Sequence, residues 1–169
     1  IVNTARQYAD LLEYVDAITV NPYLGGDSLQ PFLSRTEKGV FVLCRTSNPG
    51  GADIQDRELA DGRTVYQRVA DLAADWNEHG NVGLVVGATA PEELESLRER
   101  VPEIPFLVPG VGAQGGDVEA AATAGLADGV GLVNSSRGII FAGESSPDWE
   151  RAAGTAARRL RDELNEYRG

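Results

Sequence analysis

Five short apolar runs punctuate the chain: DAITVN (16–21), GVFVLCR (39–45), VGLVVGA (82–88), PFLVPGV (105–111) and GVGLVNSS (129–136). They are rich in β-branched residues and do not alternate with polar ones, the pattern of strands buried on both faces. Between them the apolar spacing turns helical. A first helix is predicted over about residues 2–14. In DGRTVYQRVADLAADWNEHG, Val65, Val69, Leu72, Ala73 and Trp76 share a face until Gly80 stops the run. TAPEELESLRER has Thr89 as its cap, Pro91 in the first turn, early acids and late arginines, each suited to the helix dipole. The last segment places Trp149, Ala153, Ala156, Leu160, Leu164 and Tyr167 on one stripe.

Helices and bare apolar strands in strict alternation predict an α/β fold with a parallel sheet covered by helices. Two architectures satisfy that order, an open doubly wound sheet and a (β/α)8 TIM barrel. In an open sheet, ligand residues gather at one switch point. In a barrel every strand's C-terminal end faces one mouth. Four of the five runs lead into small or polar residues, NPYLGGD, RTSNPGGAD, PGVGAQGGD and NSSRG. That shared rim favours the barrel. The five βα units visible are then its C-terminal part, residues 1–169 form a single phosphate-binding domain, and three strands are expected ahead of Ile1.

A chain of 169 residues suits one core better than two. No apolar run approaches the roughly 20 residues of a membrane span. Cys44 lies inside VFVLC and reads as a buried, inert thiol. His79 is expected to serve a helix C-terminus. A net charge of −11 argues against nucleic acid and anionic membranes as partners. Among the basic residues, Lys38 is the single lysine and the rest are arginine. An acidic, lysine-poor surface suits a high-salt cytoplasm, although a GC-rich genome produces the same bias.

The rim carries the candidate chemistry. In VPGVGAQGGD the glycines let backbone approach a ligand, and Gln114 can donate its amide to a phosphate oxygen. A glycine-rich turn with a solvated Gln explains the same letters. Arg137, in NSSRG, can pair with a phosphate through two N–H groups, and a surface arginine in an acidic protein is the plain alternative. Barrels often hold phosphate with the loops after strands 7 and 8, which these two would be, so a phosphate site is favoured. Ser47 and Asn48, held by Pro49, suit the polar edge of a heterocycle, or simply a turn. Asp27 or Ser28 is expected to cap a helix, and Thr4 reads as a structural hydroxyl. Lys38 precedes its strand, at the bottom of a barrel. No Ser/His/Asp set, Cys/His pair, metal-ligand cluster or paired rim carboxylates stand out. The segment GADIQDRELADG reads as either a mobile lid or an ordinary polar loop.

DAITVNPYLGGDSLQPFL, VFVLCRTSNPGG, FLVPGVGAQGGD and VNSSRGIIFA together resemble orotidine 5′-phosphate decarboxylase, in the form found in many actinobacteria and some other prokaryotes. The resemblance runs in order from residue 1 to about residue 143. It implies a cytoplasmic, homodimeric (β/α)8 lyase of pyrimidine biosynthesis that takes CO2 from orotidine monophosphate to give UMP without cofactor or metal. By matching motif, Gln114 and Arg137 would grip the 5′-phosphate, with Ser136 and Gly138 beside them. Ser47, with Asn48, would meet the pyrimidine, and Thr4 would reach the partner's substrate. That family's Asp-x-Lys-x-x-Asp motif does not occur in this sequence and is expected just before Ile1. The alternatives are a related barrel acting on a sugar phosphate, such as a keto-gulonate or hexulose phosphate enzyme, and a non-catalytic phosphate-binding protein. The RTSNPG turn, suited to a pyrimidine, weighs against the first. Exposed strand edges and apolar surface weigh against the second.

The acidic surface generates a test. Salt screens like-charge repulsion, so the unfolding midpoint is expected to rise across a KCl series. A midpoint indifferent to salt would remove the high-salt reading.

Overall fold

A computed structural model describes residues 2–89, 91–112, 116–126 and 131–168, with the side chains of residues 2–4 and 7 left aside. The order is α1 (Val2–Ala9), β1 (Ala17–Val20), α2 (Gly26–Leu33), β2 (Gly39–Arg45), α3 (Val65–Trp76), β3 (Val82–Val86), α4 (Pro91–Arg100), β4 (Phe106–Pro109), α5 (Val118–Ala120), β5 (Gly131–Asn134), α6 (Ser136–Ile140) and α7 (Trp149–Glu166). The helix predicted over 2–14 is thus α for eight residues and tightens to 3-10 geometry over Asp10–Glu13.

All four strand pairings are parallel, and the sheet order is β1-β2-β3-β4-β5. Strand order therefore follows chain order with no reversal, so the sheet has no switch point. That excludes the doubly wound alternative, whose halves diverge from a central strand. The five strands form a curled arc of a (β/α)8 barrel.

The two faces of the arc differ. Val42, Leu84 and Phe106 stand side by side in register and are fully buried. Helices cover them: the Arg98 guanidinium of α4 lies 3.9 Å from the Phe106 ring centroid. Leu43, Val85, Leu107 and Leu132 form the adjacent row on the opposite face. Val85 there is buried, but Leu132 is 56% exposed. Strands covered on both faces are expected along the whole sheet, yet only central β3 is buried at every position. β2, β4 and β5 alternate instead, their second face being only partly covered among the described residues.

The helix signals hold unevenly. Pro91 stands in the first turn of α4 as expected, and the cap expected at Thr89 turns on residue 90, outside the described residues. Asp27 and Ser28 do not cap α2, which starts at Gly26. The Ser28 hydroxyl donates back to the Gly25 carbonyl at 2.7 Å, and Asp27 sits in the first turn. Of the α7 stripe, Leu164 is buried and Leu160 packs against the core, whereas Trp149 and Tyr167 are exposed. His79 is exposed and lies three residues beyond the end of α3. Lys38 lies at the bottom edge, donating to the Val15 carbonyl. Cys44 is buried and free, and burial pushes its thiol up to about 12, the inert thiol expected.

On the outside, Asp71 of α3 takes two hydrogen bonds from Arg100 of α4, at 2.6 and 2.9 Å, and another from Arg63. Arg63 also pairs with Asp61, whose carboxyl is held down at about 2 by those bonds. Arg100, and then Arg63, hold the Asp71 carboxyl below its ordinary range, against its partial burial. Asp71→Asn is expected to cost about 1 kcal/mol at neutral pH in denaturant melts. A depressed folded pKa gives stability that is complete above the unfolded value of about 4 and is lost as pH falls through the folded one. The gap between parent and variant should therefore narrow below about pH 4.

Candidate functional site at the C-terminal rim

Because the strands are parallel and adjacent, their C-terminal ends lie along one edge. Backbone bonds stitch the loops after β3 and β4 to neighbouring strands. Gly87 N–H donates to Arg45 O at 2.8 Å, Ala88 N–H to Pro109 O at 3.0 Å and Gly110 N–H to Asn134 O at 3.2 Å. The rim is thus a backbone framework on which a few side chains are set.

The loop after β4 has a closed neck. Val111 and Gly116 pair as an isolated bridge, and Gly112 N–H donates to Gly116 O. Gly110 and Gly112 have φ of 94° and 77°, which L side chains resist. A methyl on Gly116 would lie 2.5 Å from Gly110 O and 2.7 Å from the Ala88 side chain. Gln114 lies outside the described residues. Beyond the loop, Asp117 caps α5, accepting from Ala120 N–H at 3.1 Å, so it is a structural carboxylate.

The loop after β5 is tied to that neck by Ser135, which is buried and donates to Val111 O at 2.8 Å. Arg137 is not at a strand's end, as the sequence suggests. β5 stops at Asn134, and Ser136, Arg137 and Gly138 open the short α6. The Ser136 hydroxyl donates to Asn134 Oδ1 at 2.9 Å. Arg137 is exposed, and among the described residues it pairs with no carboxylate.

The loop after β2 carries Ser47 and Asn48. Asn48 is exposed, and its Oδ1 accepts from the Thr46 hydroxyl at 2.7 Å. Ser47 is half-buried against β3: a methyl on Gly87 would lie 2.9 Å from Ser47 Cβ and 3.0 Å from its nitrogen. Among the described residues nothing hydrogen-bonds its hydroxyl. The segment after it is folded and tied down, with a 3-10 turn over Pro49–Asp53 and a bridge between Glu58 and Thr64. Thr4 lies in α1, with its side chain outside the described set. Among the described residues no cluster of His, Cys, Asp or Glu could hold a metal, and no helix is long and apolar enough to cross a membrane.

Through β3 the two sides of the rim are contiguous: Ser47 lies on Gly87, and the next residue, Ala88, lies against Gly116. The sequence profile of the orotidine 5′-phosphate decarboxylase / HUMPS family matches residues 1–152. The chain belongs to this family. It is 70% identical to the orotidine 5′-phosphate decarboxylase of Halorubrum lacusprofundi, over 99% of this chain and 65% of that relative's length. It is 53% identical to the Ralstonia pickettii enzyme, over 99% of this chain and 64% of the relative. The chain thus spans about two thirds or slightly less of the curated relatives it matches. Among solved structures, Leishmania donovani OMP decarboxylase superposes with a TM-score of 0.81 at 43% identity, covering 96% of this chain and 64% of that one.

The close approach of Gly87 to Ser47 generates a prediction. Gly87→Ala must push the Ser47 backbone away, and overpacking of this kind costs about 1–3 kcal/mol. Denaturant melts measure it, and an unchanged midpoint would show that this contact gives way freely.

Proposed function

We propose that this chain is the substrate-gripping part of an orotidine 5′-phosphate decarboxylase, which releases CO2 from orotidine monophosphate to give UMP. The observation that carries the reading is Arg137. It stands exposed on the rim without a carboxylate partner among the described residues, in a chain with 26 acidic side chains, beside a glycine-lined loop. An arginine so placed is available to an external phosphate. Gln114, on the loop closed at Val111 and Gly116, would be the second phosphate ligand, with Ser136 and Gly138 flanking. Ser47 would use its free hydroxyl on the pyrimidine edge, with Asn48 alongside.

The reading divides the chemistry. The Asp-x-Lys-x-x-Asp motif that would stress the carboxylate and protonate the carbanion does not occur in this sequence. The rim would supply binding energy far from the reacting carbon, and such energy can be realised in the transition state. The same reading carries a homodimer, with Thr4 reaching the partner subunit's substrate, a cytoplasmic location, and residues 1–169 as one part of a (β/α)8 domain. A sugar-phosphate enzyme is less favoured, since relatives at 53% and 70% identity are named decarboxylases. Those relatives are betaproteobacterial and haloarchaeal and lend no support to the actinobacterial form. The haloarchaeal likeness supports a high-salt setting for the acidic surface.

The test is a chimera in which this chain replaces the matching part of the Halorubrum lacusprofundi enzyme. It should release CO2 from orotidine monophosphate, and Gln114→Ala or Arg137→Ala should each lower kcat/KM by about 10- to 100-fold, the worth of a hydrogen bond to a charged group. Wild-type kcat/KM in both variants would overturn the phosphate assignment. The 169-residue chain alone should release no CO2, and activity from a mass-verified sample would overturn the dependence on the Asp-x-Lys-x-x-Asp motif.

A further inference from the structure

The Ser47 loop leaves the sheet where the sheet stops helping it. The ladder between β2 and β3 slips around Cys44 and ends at Arg45 opposite Val86. The N–H of Thr46 therefore falls beyond the last paired residue, and a loop donor there needs another acceptor.

Gln55 provides it. Its Oε1 accepts from Thr46 N–H at 2.9 Å, and its Nε2 donates to the Thr46 hydroxyl at 2.8 Å. That hydroxyl donates onward to Asn48 Oδ1. One side chain thus engages both the N–H and the hydroxyl of the residue just before Ser47. Gln55 is itself anchored, its N–H donating to Gly51 O at 2.7 Å and its carbonyl accepting from Tyr66 N–H at 3.0 Å. Arg45 closes the clamp from below. Its Nη1 donates to Thr46 O at 2.9 Å, and its guanidinium lies 3.3 Å from Asp56 and 3.5 Å from Glu93. Gly51 packs tightly onto this cluster, since a methyl there would meet Gln55 Oε1 at 3.0 Å. Ser47 is therefore gripped from the Thr46 side by Gln55 and supported on the other by Gly87.

We propose that Gln55 is a positioning residue for pyrimidine recognition: by clamping Thr46 it fixes Ser47 on the rim without touching the ligand. The inference rests on the pyrimidine-binding reading of Ser47. It separates Gln55 from the phosphate side of the rim, so its loss should be felt by the base and not by the phosphate.

Two measurements test it. In the chimera, Gln55→Met, nearly isosteric but without the polar groups, should weaken UMP binding about tenfold and leave ribose 5-phosphate within about twofold. Gln55→Glu keeps the acceptor for Thr46 N–H and for Arg45 Nη1, which donates to Gln55 Oε1 at 3.4 Å, and should hold UMP affinity within about threefold of the parent. In the 169-residue chain, Gln55→Met should speed hydrogen exchange at the Thr46 amide about tenfold or more while Val42 and Leu84 keep their protection. Equal loss of UMP and ribose 5-phosphate, or unchanged exchange at Thr46, would overturn the clamp. So would a Gln55→Met variant with parental UMP affinity where Ser47→Ala has lost it. If Ser47→Ala also binds UMP like the parent, or the chimera binds neither ligand, the reading of Ser47 falls and the inference falls with it.

Discussion

Parallel pairing in chain order governs everything else in this chain. Each strand ends on the same edge as its neighbours, so loops far apart in sequence become consecutive segments of one rim. Main-chain bonds from the loops after β3 and β4 then tie the edge to neighbouring strands, as at Gly87 N–H to Arg45 O and Gly110 N–H to Asn134 O. A rim built first from backbone explains why so many of its residues are glycine. At Gly87 and Gly116 the neighbouring loop sits where a side chain would begin.

Much of this was legible in the chain. β2 was located to the residue, and the other strands to within about two, because uninterrupted β-branched runs bounded by Gly, Pro and Asn have few other uses. Chain-order topology followed from the rim letters. The exposure of the second sheet face was not legible, because Leu107 and Leu132 are as apolar as Val108 and only what lies over them decides their burial. The start of α6 was missed for a similar reason: NSSRG favours neither strand nor helix, and the buried Ser135 bond to Val111 O turns the chain there. The Gln55 clamp left no signal at all. It joins residues nine apart within a polar stretch that has no period, and only the fold brings them into register.

The arginine bias acquires a structural meaning at several sites. Arg98 donates to the carbonyls of Pro102, Ile104 and Ala124 while stacking on Phe106. Arg45 reaches Thr46 O, Asp56 and Glu93 together. Each uses several N–H groups in a planar fork, which a lysine's single ammonium cannot reproduce. These side chains brace loops and helices to the sheet, whereas Arg137 braces nothing among the described residues. Arg6 and Arg159 likewise pair with no carboxylate among the described residues, so what sets Arg137 apart is its place at the start of α6 on the rim.

β3 links the two halves of the proposed site. It is the strand buried at every position, and the two residues that follow it touch both sides: Gly87 supports Ser47, and Ala88 abuts Gly116 at the neck of the Gln114 loop. A nucleotide bound across this rim would have its base and its phosphate held by loops whose separation is set by the most buried strand of the sheet. Binding energy at a phosphate helps a distant reaction only if the connecting scaffold does not yield, since slack would dissipate it in reorganisation. On that argument the burial of β3 on both faces serves the site as much as the core, and the small residues Gly87 and Ala88 at its end are what let both loops bear directly on it.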